Sequence, residues 1–124
     1  MVRKATLNAI LTLDAMAERT VSAMHAKGLD QWSASYPRRA HFEADVQAGV
    51  GYVYDDGKIK GYFALIAHDP YYDDIAWQGK SGVAVHRIFT DPLNQRTGTA
   101  KAMMMAIIQE AKTRGLESIW IDTH

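Results

Sequence analysis

The chain has 124 residues and no cysteine, a length suited to one core and a composition that excludes disulfides, thiolate nucleophiles and cysteine zinc sites. Fourteen basic and fourteen acidic side chains cancel, so no long-range field recruits nucleic acid or an anionic membrane surface, and any anion site is local. With 48% hydrophobic and 23% charged residues, the chain is expected to fold as one domain over 1–124, and its longest apolar runs are too short to span a bilayer. The N-terminus lacks an export pattern, so a soluble, cytoplasmic protein is expected.

In chain order, VRKA offers a short opening strand. Leu7, Ile10, Leu13, Ala17, Val21 and Met24 then recur every three or four residues, which predicts an amphipathic helix ending near Gly28. Trp32 and Tyr36-Pro37 mark a loop. Phe42, Val46 and Val50 share one face of a second helix from about Arg38 to Ala48, bracketed by Gly49 and Gly51. GYVYDDGKIKGYFALIAH reads as two strands around the Asp55-Asp56-Gly57 turn of a hairpin.

Asp69 to Gly82, DPYYDDIAWQGKSG, has no usable period and reads as a long loop, a kind of segment that is often functional. VAVHRIFT follows as a strand, with Arg87 alternating to the opposite side from His86 and suited to a structural salt bridge. A helix with Ala100, Met103, Met104, Ile107 and Ala111 on one stripe ends at Lys112, Arg114 and Gly115, and SIWID is a last strand. A strand-helix-strand unit of this size implies a right-handed parallel crossover. The fold class is therefore mixed α/β: an antiparallel hairpin leads into a parallel strand pair with flanking helices.

The stretch NQRTGTA, Asn94 to Ala100, enters the last helix. Helices ordinarily begin with Asp or Glu, because unpaired N–H groups and the macrodipole favour negative charge there. Here no acid occurs between Asp91 and Glu110, Arg96 and Lys101 flank the start, and Gly98 permits close approach to the backbone. That composition fits a phosphate cradle and, equally, a turn at Gly98 capped by Thr97 or Thr99. Gly79-Lys80-Ser81 does not complete a nucleotide-binding loop: the required earlier glycine is Asp74, and a strand follows where a helix is needed.

Gln95-Arg96-Thr97-Gly98-Thr99-Ala100 resembles the [QR]-x-x-G-x-[GA] signature of the GNAT N-acetyltransferase superfamily, and HRIFTDP resembles that superfamily's preceding strand, with Ile88 and Thr90 at its core positions. The order of elements is also similar. The resemblance implies an acyl-CoA N-acyltransferase-like fold whose parallel pair splays apart, and an enzyme moving an acetyl group from acetyl-CoA, as co-substrate, to a primary amine. It implies that backbone N–H groups of Gln95, Arg96, Thr97, Gly98, Thr99 and Ala100 hold the CoA pyrophosphate. Phe89 and Thr90 would offer main-chain hydrogen bonds to the pantetheine arm.

Direct transfer needs a deprotonated amine, and His86, where some family members carry a catalytic histidine, is the candidate general base; a structural histidine bonded to a neighbouring strand or loop is the alternative. Trp32, Tyr36, Tyr71, Tyr72 and Trp77 are candidates for the wall of an acceptor pocket, with Asp73 and Asp74 attracting a cationic amine. His25, His41 and His68 lack ligand spacing, so no metal is expected.

The superfamily usually continues through a further helix and two strands that carry a tyrosine acid. In this sequence no tyrosine follows Tyr72 and the chain is C-terminally short. An uncovered SIWID edge invites pairing, so a homodimer completed through the C-terminal edge is expected, or a truncated domain. A catalytically impaired CoA-binding or protein-interaction module is the competing function.

Overall fold

The computed structural model describes residues 1–67, 82–94, 97–116 and 118–121. Among these residues, five strands, β1 (Val2–Lys4), β2 (Gly51–Asp55), β3 (Ile59–Ile66), β4 (Gly82–Thr90) and β5 (Ser118–Ile121), form one sheet in sequence order. Neighbours from β1 to β4 pair antiparallel, and β4 pairs parallel with β5. Helices α1 (Ile10–Ala26) and α2 (Arg39–Ala48) connect β1 to β2, and α3 (Thr99–Thr113) makes the crossover from β4 to β5. The mixed α/β class expected from the sequence is the fold observed.

Alternation along the strands sends side chains to two cores. Tyr62 and Ala64 of β3 meet Ile10, Leu13, Met16 and Ala17 of α1 and Phe42 of α2, while Phe63 and Leu65 meet Met103 and Ile107 of α3. Each fully buried Leu, Ile, Met or Phe side chain contributes about 1.5–3 kcal/mol of transfer free energy. These two layers hold α3 on the opposite side of the sheet from α1 and α2.

Two sequence-derived stripes shift in phase. Leu7 is 61% exposed, because residues Leu7–Ala9 form a 3-10 turn ahead of α1, and the tighter turn rotates Leu7 away from the stripe that begins at Ile10. In α3 the buried set is Thr99, Met103, Ile107 and Ala111, a spacing of four that leaves Ala100 outward. The methionine run divides as expected, from buried Met103 to exposed Met105.

A bulge in β4 corrects the simple alternation. Tyr62 pairs with Phe89 and Ala64 with His86, so Phe63 faces two residues, Arg87 and Ile88. Arg87 takes a left-handed φ of 54°, which resets the pleat. Arg87 therefore reaches α2, on the same face as His86 rather than the opposite one: His86 stands across from Ala64, and Arg87 bonds to Asp45.

Candidate functional site

Among the described residues, the sheet opens where β4 leaves β5. Pairing with β5 covers Gly82 to Val85, the last described pair being Val85 with Ile121, while β4 continues to Thr90. On its other side Asp91 donates its N–H to the Lys60 carbonyl at 2.8 Å. Antiparallel alternation then turns the main-chain groups of Phe89 toward β3 and those of Thr90 toward the open edge. Of the two residues expected to offer backbone groups to the pantetheine arm, Thr90 has its main chain on this edge. Phe89 instead contributes its ring, edge-on to Trp32 at 5.5 Å.

At the end of that edge stands the entrance of α3. Gly98 is its N-cap residue with φ 81°, a conformation that glycine adopts without the steric penalty of a Cβ. The alternative of a side-chain cap is not observed among the described residues. The Thr97 hydroxyl donates to the Asn94 carbonyl at 2.7 Å and lies 2.8 Å from the Thr99 hydroxyl, binding the turn to itself. The first turn contains no acid. Its N–H groups have no intrahelical acceptors and carry a partial positive charge of about half an electron unit. This is the local chemistry of an anion cradle.

Gly61 of β3 lets that cradle sit close to the sheet: a Cβ there would lie 2.9 Å from Thr99 Cγ2 and 2.8 Å from Met103 Sδ. Asp91, at the end of β4, receives both Nε and an NH2 group of Arg19, at 3.1 and 2.7 Å, and accepts the Leu93 N–H at 3.1 Å. Burial alone would raise the Asp91 carboxyl, but Arg19 and the Leu93 amide outweigh it and hold it below its usual range. The turn between β4 and α3 is thus anchored to α1.

On the α1–α2 face, half-buried His86 lies beside a charged network. Arg87 gives Nε and NH2 to the two oxygens of Asp45, at 2.9 and 2.5 Å, and NH1 to Tyr36 Oη at 3.1 Å. Tyr62 Oη donates to Asp45 Oδ2 at 2.5 Å. Burial works against the Arg87 charge, yet Asp45 and then Tyr36 outweigh it and raise its pKa. Burial, then the Asp45 hydrogen bond, pushes the Tyr62 phenol up, so Tyr62 remains a donor. The salt-bridge role expected of Arg87 is observed.

Trp32 and Tyr36, two of the pocket candidates, come together in the α1–α2 loop with ring centroids 6.4 Å apart. Arg38 secures this loop through two bonds to Asp14, at 2.7 and 3.0 Å, and one to the Ala34 carbonyl at 2.9 Å. The Arg38 guanidinium holds the Asp14 carboxyl below its usual range, against the opposing effect of burial. His25 Nε2 lies 2.9 Å from the Trp32 carbonyl, and His41 Nδ1 accepts the Arg38 N–H at 3.0 Å. Both are therefore engaged in local structure. Among the described residues, no group of three or more His, Cys, Asp or Glu is placed to hold a metal ion.

Sequence reasoning missed Asp45 and Tyr62. A carboxylate at Asp45, three residues after Phe42 and next to Val46 on an apolar stripe, is the signal that a buried cation faces α2. Gln95 and Arg96 of the cradle, Tyr71, Tyr72 and Trp77 of the expected pocket, Asp73, Asp74, His68 and the GKS segment lie outside the described residues.

The model of the acetyltransferase (GNAT) family matches residues 13–124. No curated protein matches the chain. Among solved structures, a GNAT-family acetyltransferase of Streptococcus agalactiae 2603 is 26% identical with a TM-score of 0.77, covering 100% of this chain and 75% of that one. A Clostridium acetobutylicum protein solved with acetyl-CoA is 18% identical with a TM-score of 0.64, over 99% and 80% of the two chains. AAC(6')-Iy, solved with the bisubstrate analogue CoA-S-monomethyl-acetylneamine, is 20% identical with a TM-score of 0.66, over 100% and 79%. The latter two likenesses are of fold.

Proposed function

Because the chain belongs to the acetyltransferase (GNAT) family, we propose that it moves the acetyl group of acetyl-CoA to the nitrogen of a primary amine by direct attack. The observation that carries this reading is the acid-free entrance of α3 at the end of the open β4 edge. A CoA thioester needs both features: N–H groups for its pyrophosphate and an unpaired strand edge for its amide-bearing arm. Gln95 to Ala100 supply the first and the main chain of Thr90 the second.

The amine nitrogen attacks the thioester carbon, the new N–C bond forms, the C–S bond breaks and the thiolate departs. One proton passes from nitrogen to sulfur. His86 takes it from the nitrogen as general base and returns it toward the sulfur. Trp32, Tyr36, Tyr72 and Trp77 wall the acceptor, and Asp73 and Asp74 attract its positive charge. A CoA-dependent, cysteine-free protein fits the cytoplasm, and a second copy pairing on the outer edge of β5, where Ile121 is 37% exposed, would make a homodimer. Sedimentation showing a monomer at micromolar concentration would exclude that assembly.

The test is calorimetry with acetyl-CoA followed by thiol release against spermidine, a lysine-bearing peptide and an aminoglycoside. Binding with release that requires His86 is expected. Absence of binding overturns the reading, and binding with no release identifies a CoA-binding module.

A further inference from the structure

We propose that Arg87 is a positioning residue that locks the α1–α2 loop onto the bulge of β4, with Tyr36 as the latch, and thereby sets how tightly the acceptor amine is held. The effect on the amine rests on the acetyl-transfer reading; the lock itself does not.

Two contacts among the described residues join loop and strand. Arg87 NH1 donates to Tyr36 Oη at 3.1 Å, and the Phe89 ring meets Trp32 edge-on at 5.5 Å. Tyr36 and Trp32 touch each other across the loop, so the two contacts close a ring: Arg87, Tyr36, Trp32, Phe89 and back along β4. The side chain at its corner must donate in two directions at once. A guanidinium does this, giving a fork to Asp45 and a remaining N–H to Tyr36, whereas an ammonium has no such planar fork.

The backbone at the same residue carries the second argument. Arg87 holds a left-handed φ of 54°, a conformation unfavourable for a residue with a Cβ and kept where its surroundings over-determine it. What over-determines it here is the Asp45 pair, with the two side chains 14% and 6% exposed, and Asp45 is steadied in turn by Tyr62. The bulge lies directly after His86 and three residues before Thr90. One side chain therefore ties the aromatic wall, the base and the open edge into a single frame.

Because Asp45 is held by Tyr62 and by the Arg87 fork, Tyr36→Phe removes the latch while leaving the buried ion pair intact. Hydrogen exchange is measured on wild type, Tyr36→Phe and Arg87→Lys, alongside acetyl-CoA affinity and steady-state kinetics with the best amine of the panel above. Loss of one hydrogen bond predicts about fivefold faster exchange of loop amides 30–36 and 38 in Tyr36→Phe, with α1 and α3 amides unchanged. Acceptor KM should rise by a similar factor while the acetyl-CoA Kd stays within about twofold. Arg87→Lys should loosen the loop further.

Unchanged loop exchange in Tyr36→Phe overturns the lock, whatever the turnover. A rise in acetyl-CoA Kd matching the rise in acceptor KM overturns its assignment to the acceptor side. A wild type that transfers to none of the amines removes the acetyl-transfer reading, and the exchange measurement still decides the lock.

Discussion

Thr99 Cγ2 occupies the space that a side chain on Gly61 would need: a Cβ at Gly61 would lie 2.9 Å from it. The Thr99 methyl is on a stiff, β-branched side chain at the first turn of α3 and cannot step aside as a lysine tip would. Gly61→Ala should therefore lift the entrance of α3 from the sheet. The expected outcome is a loss of about 1–3 kcal/mol in stability with weaker acetyl-CoA binding, read by urea denaturation and calorimetry. Undiminished affinity would separate the cradle from the close packing of α3.

His86 stands on the α1–α2 face, one residue before the bulge. As the general base it should matter to proton removal and little to CoA binding. His86→Gln keeps a polar side chain of similar reach and is expected to lower kcat by about 100-fold or more, with acetyl-CoA affinity unchanged. A mutant with near-normal kcat would return His86 to a structural role, the alternative the sequence left open.

Asp91 and Arg19 make stability depend on acid. The Asp91 carboxyl, despite the opposing effect of burial, is held below its usual range by Arg19 and the Leu93 amide, and in the unfolded chain it returns to about 3.9. A depressed folded value means that the pair's contribution is fully present above the unfolded pKa and is lost as pH falls through the folded one. Asp14, paired with Arg38, has the same sign. Asp91→Asn keeps an acceptor for the Leu93 N–H but removes the charge. It should be less stable than wild type at pH 7, and the difference should shrink in urea titrations as the pH falls below about 4. A gap constant across that range would show that the charge contributes nothing.

The hairpin was legible because Asp55-Asp56-Gly57 joins two β-rich runs, and Gly57 takes the positive φ, 112°, that such turns require. The entrance of α3 was legible as an anomaly of charge, a property that survives without coordinates. The bulge was not: it depends on how β4 registers against β3, a contact between residues more than 20 positions apart, and nothing local to HRI announces it. Missing the bulge, alternation put Arg87 on the wrong face and hid its partner. Asp45 was visible in principle as a carboxylate on an apolar stripe, but a helical pattern counts faces and does not say what lies opposite.

The Asp45 network should respond unequally to losing its members. Tyr62 Oη and the Arg87 fork converge on one buried carboxylate, so Tyr62→Phe removes a single bond while Asp45 keeps its charged partner, a cost of about 1 kcal/mol. Asp45→Leu instead leaves the Arg87 guanidinium buried without its counter-charge, a cost of about 3–5 kcal/mol. Removing both charges, as in Asp45→Leu with Arg87→Met, should recover much of that loss, because an apolar pair of similar volume needs no desolvation of ions. Urea denaturation of the three variants measures this. If the double variant is no more stable than Asp45→Leu alone, the network stabilises through packing shape rather than through the ion pair.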